Sequence, residues 1–109
     1  MRIAIVGSRT ITEVPIASYV SASDEIVSGG AKGVDACAAA YARMNGLRLT
    51  EFLPQYGRFG QAAPIVRNRE IVDYADKVIV FWDGRSKGAQ SVIHYAERVG
   101  KPCQVVLCE

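Results

Sequence analysis

The chain has 109 residues, half of them apolar and 22% charged, with a formal net charge of +2. That length predicts one domain around one core, and that composition excludes a disordered tail. So small a net charge is not that of a protein held on bulk nucleic acid by electrostatics, and no apolar run approaches the roughly 18 residues of a membrane span.

Ile3-Ala4-Ile5-Val6, directly after Met1 and Arg2, is too short for a signal-peptide core. It reads instead as a strand buried on both faces, ended by Gly7. Thr12 is placed to cap a helix with Pro15 in its first turn and Ile16, Tyr19 and Val20 at helical spacing. Glu25 to Ser28 is a second strand, closed by Gly29-Gly30. Cys37, Ala40, Tyr41 and Met44 then fall at i, i+3, i+4 and i+7, predicting one helix face, with Asn45-Gly46 as the stop. Leu47 to Leu53 reads as a third strand ended by Pro54. Pro54 to Ala63 has no period and is expected to be a loop. A helix follows from about Pro64 to Ala75, with Ile65, Val72 and Ala75 facing inward. Val78 to Trp82 is the clearest strand, punctuated by Asp83-Gly84. Ala89, Val92, Ala96 and Val99 mark a last helix face, Gly100 stops it, and Cys103 to Leu107 is the final strand.

Strands alternating with helices predict an α/β, three-layer Rossmann-like fold, with a five-stranded, mainly parallel sheet and helices on both faces. Right-handed crossovers bring every loop after a strand to one edge. Arg9, Lys32, Arg58, Arg85 and Lys87 lie in those loops, with Arg67 and Arg69 just beyond the third. Asp24, Glu25 and Asp76 fall at the opposite edge.

Ser28-Gly29-Gly30-Ala31-Lys32-Gly33 follows a strand and opens a helix. Its glycines let backbone N–H groups approach an anion, and the helix end adds partial positive charge; the same residues also suit a tight turn that needs glycine for backbone reasons alone. It is neither a P-loop nor the dinucleotide G-x-G-x-x-G. Gly7-Ser8-Arg9 offers a close approach, a hydroxyl and a bidentate fork; the alternative is a solvated Arg on a turn. Ser86-Lys87-Gly88 repeats the design at another helix start. Asp35 reads either as compensation of a helix dipole or as an acceptor for a ribose hydroxyl. Tyr56, Arg58 and Phe59 suit a lid that stacks on a base, and Phe59 equally suits the core. The only histidine, His94, falls opposite the apolar stripe, which argues against a serine–histidine triad or a histidine metal site. Cys37, Cys103 and Cys108 form no C-x-x-C pair, and Cys37 and Cys103 read as buried. A reduced, cytoplasmic protein without metal or cofactor is expected.

The combination Val6-Gly7-Ser8-Arg9, Ser28-Gly29-Gly30-Ala31-Lys32-Gly33-Val34-Asp35, Arg67-Asn68, Ala75-Asp76 and Phe81-Trp82-Asp83-Gly84-x-Ser86-Lys87-Gly88 resembles the SLOG superfamily, in particular its small YspA/YpsA-related family of bacteria and phages. The resemblance spans nearly the whole chain. It implies a nucleotide or nucleotide-derived ligand, such as a nucleoside monophosphate or an ADP-ribose-like molecule. The ligand would be held by Gly7, Ser8, Arg9, Gly29, Gly30, Lys32, Gly33, Asp35, Arg67, Asn68, Ser86, Lys87 and Gly88. Relatives include the Lonely guy phosphoribohydrolases, with their P-G-G-x-G-T-x-x-E motif, and the DNA-processing protein DprA. Ser86 to Ala89 matches the Lonely guy loop with Ala89 in place of Thr, and Val92 occupies the glutamate position. Arg67 matches their arginine, and Asn68 stands where they have lysine. Arg67, Glu70 and Asp35 are then the remaining catalytic candidates for N-glycosidic hydrolysis. A DprA-like reading would bind single-stranded DNA, and related proteins often form dimers through helices beside the site.

Overall fold

The computed structural model describes residues 1–108. Five parallel strands, β1 (Arg2–Gly7), β2 (Glu25–Ser28), β3 (Leu49–Glu51), β4 (Lys77–Trp82) and β5 (Cys103–Leu107), form one sheet in the order β3-β2-β1-β4-β5. The helices are α1 (Val34–Met44), α2 (Tyr56–Phe59), α3 (Ala63–Tyr74) and α4 (Lys87–Val99). The α/β class, the parallel sheet and the helices on both faces are as the alternating pattern predicts.

The middle of each central strand, Ile3–Val6, Ile26–Val27 and Val78–Phe81, is apolar and buried because both of its faces are covered. Ile3 and Ile5 pack with Ile26, Ile79 and Phe81 beneath α1, whereas Ala4 and Val6 pack with Val27, Val78 and Val80 beneath α3 and α4. Right-handed crossovers explain the division. The chain winds from β1 to β2 to β3 in one direction, then returns past β1 to β4 and β5, so its later helices take the opposite face. The winding therefore reverses between β1 and β4, where an open α/β sheet leaves a crevice at its carboxyl end.

Five sequence readings are corrected. No helix follows Thr12. The β1–β2 connection holds only a 3-10 turn, Ile16–Ser18, because Pro15 lacks an N–H and disfavours helical geometry at Val14. Ile16 is nevertheless buried, and Tyr19 meets Phe81 edge-on at 5.3 Å, so the apolar residues cover the sheet without a helix. The buried face of α1 is Val34, Asp35, Ala38, Ala39 and Ala42, not the Cys37/Met44 face; small alanines let the helix lie close on the sheet, and Met44 is 85% exposed. Ile65 and Val99 likewise face outward, while Ile71 and Ile93 fill the core. Cys37 and Cys103 are half-buried. Finally, the stretch after Pro54 is not a structureless loop but the single turn α2 followed by a 3-10 turn, Gly60–Ala62.

Candidate functional site

Three loops meet at the crevice, and buried backbone contacts hold them side by side. Gly7 ends β1 against β4: a Cβ there would lie 2.1 Å from the Phe81 carbonyl oxygen. The N–H of Ser8 donates to that same carbonyl at 3.0 Å. Ser8 is fully buried, and its Oγ accepts the N–H of Asp83 at 3.0 Å, tying the β1 loop to the β4 loop. Gly33, at φ 75°, backs onto Ser8 and Arg9, where a Cβ would stand 2.4 Å from the Ser8 carbonyl oxygen. Gly7, Ser8 and Gly33 thus act as the frame of the site, with Ser8 and Gly33 behind its wall.

The loop after β2 closes on an internal carboxylate. Asp35, in the first turn of α1, accepts the N–H groups of Gly29 at 3.2 Å and Ala31 at 3.4 Å through Oδ2. Two donors that a glycine loop would offer to an anion are therefore taken by the chain itself. Arg67 approaches from α3. Its Nη1 donates to the Gly29 carbonyl, and its Nε donates to Asn68 Oδ1 at 2.9 Å. A Cβ on Gly29 would lie 2.7 Å from Arg67 Nη1 and 2.9 Å from Asp35 Oδ2, so only glycine lets both side chains close here. Both are buried. Burial pushes the Asp35 carboxyl above its ordinary value, against the pull of the Ala31 N–H and the Arg67 charge. Burial also lowers the Arg67 guanidinium, with Asp35 acting in the other direction.

The loop after β4 is built on Asp83, whose Oδ1 accepts the N–H groups of Arg85 and Ser86, each at 2.8 Å. Its Oδ2 accepts the Thr10 hydroxyl at 2.8 Å. Together these donors hold the Asp83 carboxyl down at about 2. Trp82 Nε1 donates to the Ser86 carbonyl at 3.0 Å, which fixes the approach to α4. Ser86 then caps α4, its Oγ accepting the Ala89 N–H at 3.3 Å. The N–H groups of Lys87 and Gly88 precede the first intrahelical donor and remain open.

Between these loops lies a cavity of about 500 Å³. Gly7, Arg9, Asp35, Arg67, Asn68, Ser86 and Gly88 line it, as the sequence suggests, together with Thr10, Ala31, Pro64, Asp83, Arg85 and Val92. Its walls therefore carry three guanidinium groups and one open helix N-terminus. A recess of about 220 Å³ adjoins it, lined by Gly29, Gly30, Lys32, Pro54 and Tyr56, and the two share Arg9, Ala31 and Arg67. Lys87 lines neither.

Arg58 and Arg69 do not join the rim. Arg58 sits over the Phe59 ring and Arg69 over the Tyr95 ring, at 5.0 and 5.4 Å, and Arg69 lines a separate depression with His94 and Arg98. Glu70 is also outside the cavity, leaving Asp35 and Asp83 as the carboxylates on its wall. Thr10 escaped the sequence reading, and Asp83 figures there only as strand punctuation and as part of a motif, although Asp83-x-x-Ser86 has the spacing of a side chain that folds back on the next turn. Glu25, Asp24 and Asp76 lie with Arg2 and Arg48 at the other end of the sheet, as expected.

Comparison with family models, with curated proteins and with solved structures returns no match for this chain. No helix among the described residues is long and apolar enough to cross a membrane. No group of three or more His, Cys, Asp or Glu side chains among them is placed to hold a metal ion.

Proposed function

We propose that the protein binds a phosphorylated nucleoside, a nucleoside monophosphate or an ADP-ribose-like molecule, in the crevice between β1 and β4. The observation that carries this reading is the convergence of Arg9, Arg67 and Arg85 with the open start of α4 on one cavity at the reversal of strand order. Fork-shaped guanidinium groups and free backbone N–H groups at a helix start both favour phosphate. The resemblance to the SLOG superfamily supports the same ligand class. Because Asp35 already takes the N–H groups of Gly29 and Ala31, the phosphate belongs at Ser86 to Gly88 and between Arg9 and Arg85, rather than within the glycine loop. The recess beside Tyr56 is open to the base or to a second ribose.

A hydrolytic reading rests on Asp35, a buried carboxyl with a raised pKa on the cavity wall beside Arg67. A carboxylate near the anomeric carbon is what an oxocarbenium-like transition state needs.

The test is thermal stabilisation across nucleoside monophosphates, NAD, ADP-ribose and a short single-stranded oligonucleotide. A ligand of the folded state must raise the melting temperature with its concentration. A rise with a small nucleotide, reduced in Arg9→Ala, supports the proposal; no rise with any small nucleotide refutes it. Release of free base from the stabilising nucleotide, abolished in Asp35→Asn, separates hydrolysis from binding.

A further inference from the structure

The two edges of the sheet are guarded differently. β3 is three residues long and ends on Glu51, which pairs with Arg43 at 3.6 Å. Short length and charge are the usual protections of an open edge. β5 has neither. Cys103–Leu107 carries no charged residue and no proline, and Val105 and Leu107 are 42% and 60% exposed. The nearest cation is turned away, since Lys101 Nζ donates to the Ala75 carbonyl.

The hydrogen-bond register shows which backbone groups of β5 are open. The N–H of Val78 donates to the Pro102 carbonyl, and the N–H of Cys108 donates to the Trp82 carbonyl. Even-numbered residues of β5 therefore face β4, in the parallel register that sets Val80 beside Val105. Alternation leaves Cys103, Val105 and Leu107 with N–H and C=O pointing outward.

This outward row is self-complementary. In an antiparallel pair about a two-fold axis through Val105, Val105 meets its own copy and Cys103 meets Leu107. All of these are hydrogen-bonded pairs, so every outward N–H and C=O from Cys103 to Leu107 finds a partner. The side chains follow the same symmetry. Val105 lies against Val105 and Leu107 beside Cys103, on the face that carries α3 and α4 and to which Cys103 packs. Val106, on the α1 face, meets Gln104. No like charges are opposed across the strand pair.

We propose that two copies of this chain pair antiparallel through β5, joining their sheets into one of ten strands and covering the unguarded edge. The interface follows the isologous logic of two-fold dimers. It stands independently of any ligand in the crevice between β1 and β4.

Sedimentation velocity of the full chain over a range of concentrations tests this, for the wild type and two variants. Val105→Lys sets two like charges against each other on the axis. Val105→Pro removes an outward N–H and leaves the ladder to β4 intact, the one position type where an edge strand tolerates proline. The wild type is expected to sediment as a dimer at micromolar concentration. Val105→Pro should weaken the dimer about thirtyfold, the equivalent of two ordinary hydrogen bonds, and Val105→Lys at least as much, with far-UV circular dichroism unchanged. A wild type that stays monomeric throughout overturns the proposal. So does a dimer that survives Val105→Lys undiminished, because its interface would lie on another face.

Discussion

Arg67 holds the loop after β2 closed through Gly29 and Asp35, and its replacement gives the sharpest test of that closure. Arg67→Met keeps most of the apolar stem and removes the guanidinium. The side chain is 8% exposed, so its bond to the Gly29 carbonyl is sheltered from water. A hydrogen bond from a charged donor contributes about 1.5–3 kcal/mol. The variant also strips Asp35 of the positive charge that opposes its burial. The loss should therefore be about 2–3 kcal/mol at neutral pH, or roughly 10 °C in melting temperature for a domain of this size.

The pH dependence distinguishes this mechanism from a simple packing defect. A carboxyl whose folded-state pKa is raised destabilises the fold as pH climbs from the unfolded value, 3.8, through the folded one. Without Arg67 that upper limit moves higher. The deficit of the variant should thus shrink as pH falls from neutral toward the unfolded value. Adding Asp35→Asn should recover part of the loss, because the uncompensated charge is gone. Denaturant melts of the four proteins of this cycle, at a series of pH values from neutral down toward about 4, supply the numbers. A variant within about 1 kcal/mol of wild type, well below a sheltered charged bond, or losses that simply add, would show that Arg67 and Asp35 are not coupled in this way.

Other consequences follow from the same geometry. Asp83, held down at about 2 by the Arg85 and Ser86 N–H groups, stabilises the fold above the unfolded value of 3.8 and loses that effect as pH falls from there toward 2; Asp83→Ala should flatten the acid limb of a urea-midpoint profile measured from pH 2 to 6. Gly7→Ala pushes a methyl into the Phe81 backbone, which has no room to yield, so no soluble folded protein is expected. Gly46→Ala meets nothing within 4 Å but sits at φ 66°; it should cost only about 1 kcal/mol in a denaturant melt.

The sheet was legible because β1 and β4 are continuous apolar runs and α1 and α4 end at Asn45-Gly46 and Gly100. Val78 to Trp82 and the Gly100 stop are the plainest cases. What misled was periodicity in short windows. Cys37, Ala40, Tyr41 and Met44 have helical spacing, yet the buried stripe lies one residue along, on alanines whose small size rather than hydrophobicity suits close helix–sheet packing. Ile16, Tyr19 and Val20 also recur at helical spacing, but after Pro15 the chain makes only the 3-10 turn Ile16–Ser18 and leaves Tyr19 and Val20 beyond it.

The rim was legible as an edge, since topology alone brings Arg9, Lys32 and Ser86 together. Side-chain direction was not. Arg67 and Arg69 are two residues apart on α3, which turns them to opposite flanks, one into the cavity and one onto Tyr95. The glycine loop carried two readings, anion cradle or backbone turn. Asp35 favours the second at Gly29 and Ala31, because a carboxylate of the chain already accepts their N–H groups.

The proposed function fixes a location as well as a ligand class: a phosphorylated nucleoside held between the β1 and β4 loops, with its phosphate at the start of α4. Amide chemical shifts of the ¹⁵N-labelled chain, followed while the stabilising nucleotide is added, test both together. The largest shifts are expected at Arg9, Arg85, Ser86 and Gly88, which line the cavity around the proposed phosphate. Saturable shifts that cluster elsewhere, or none with any nucleotide of the panel, would contradict it.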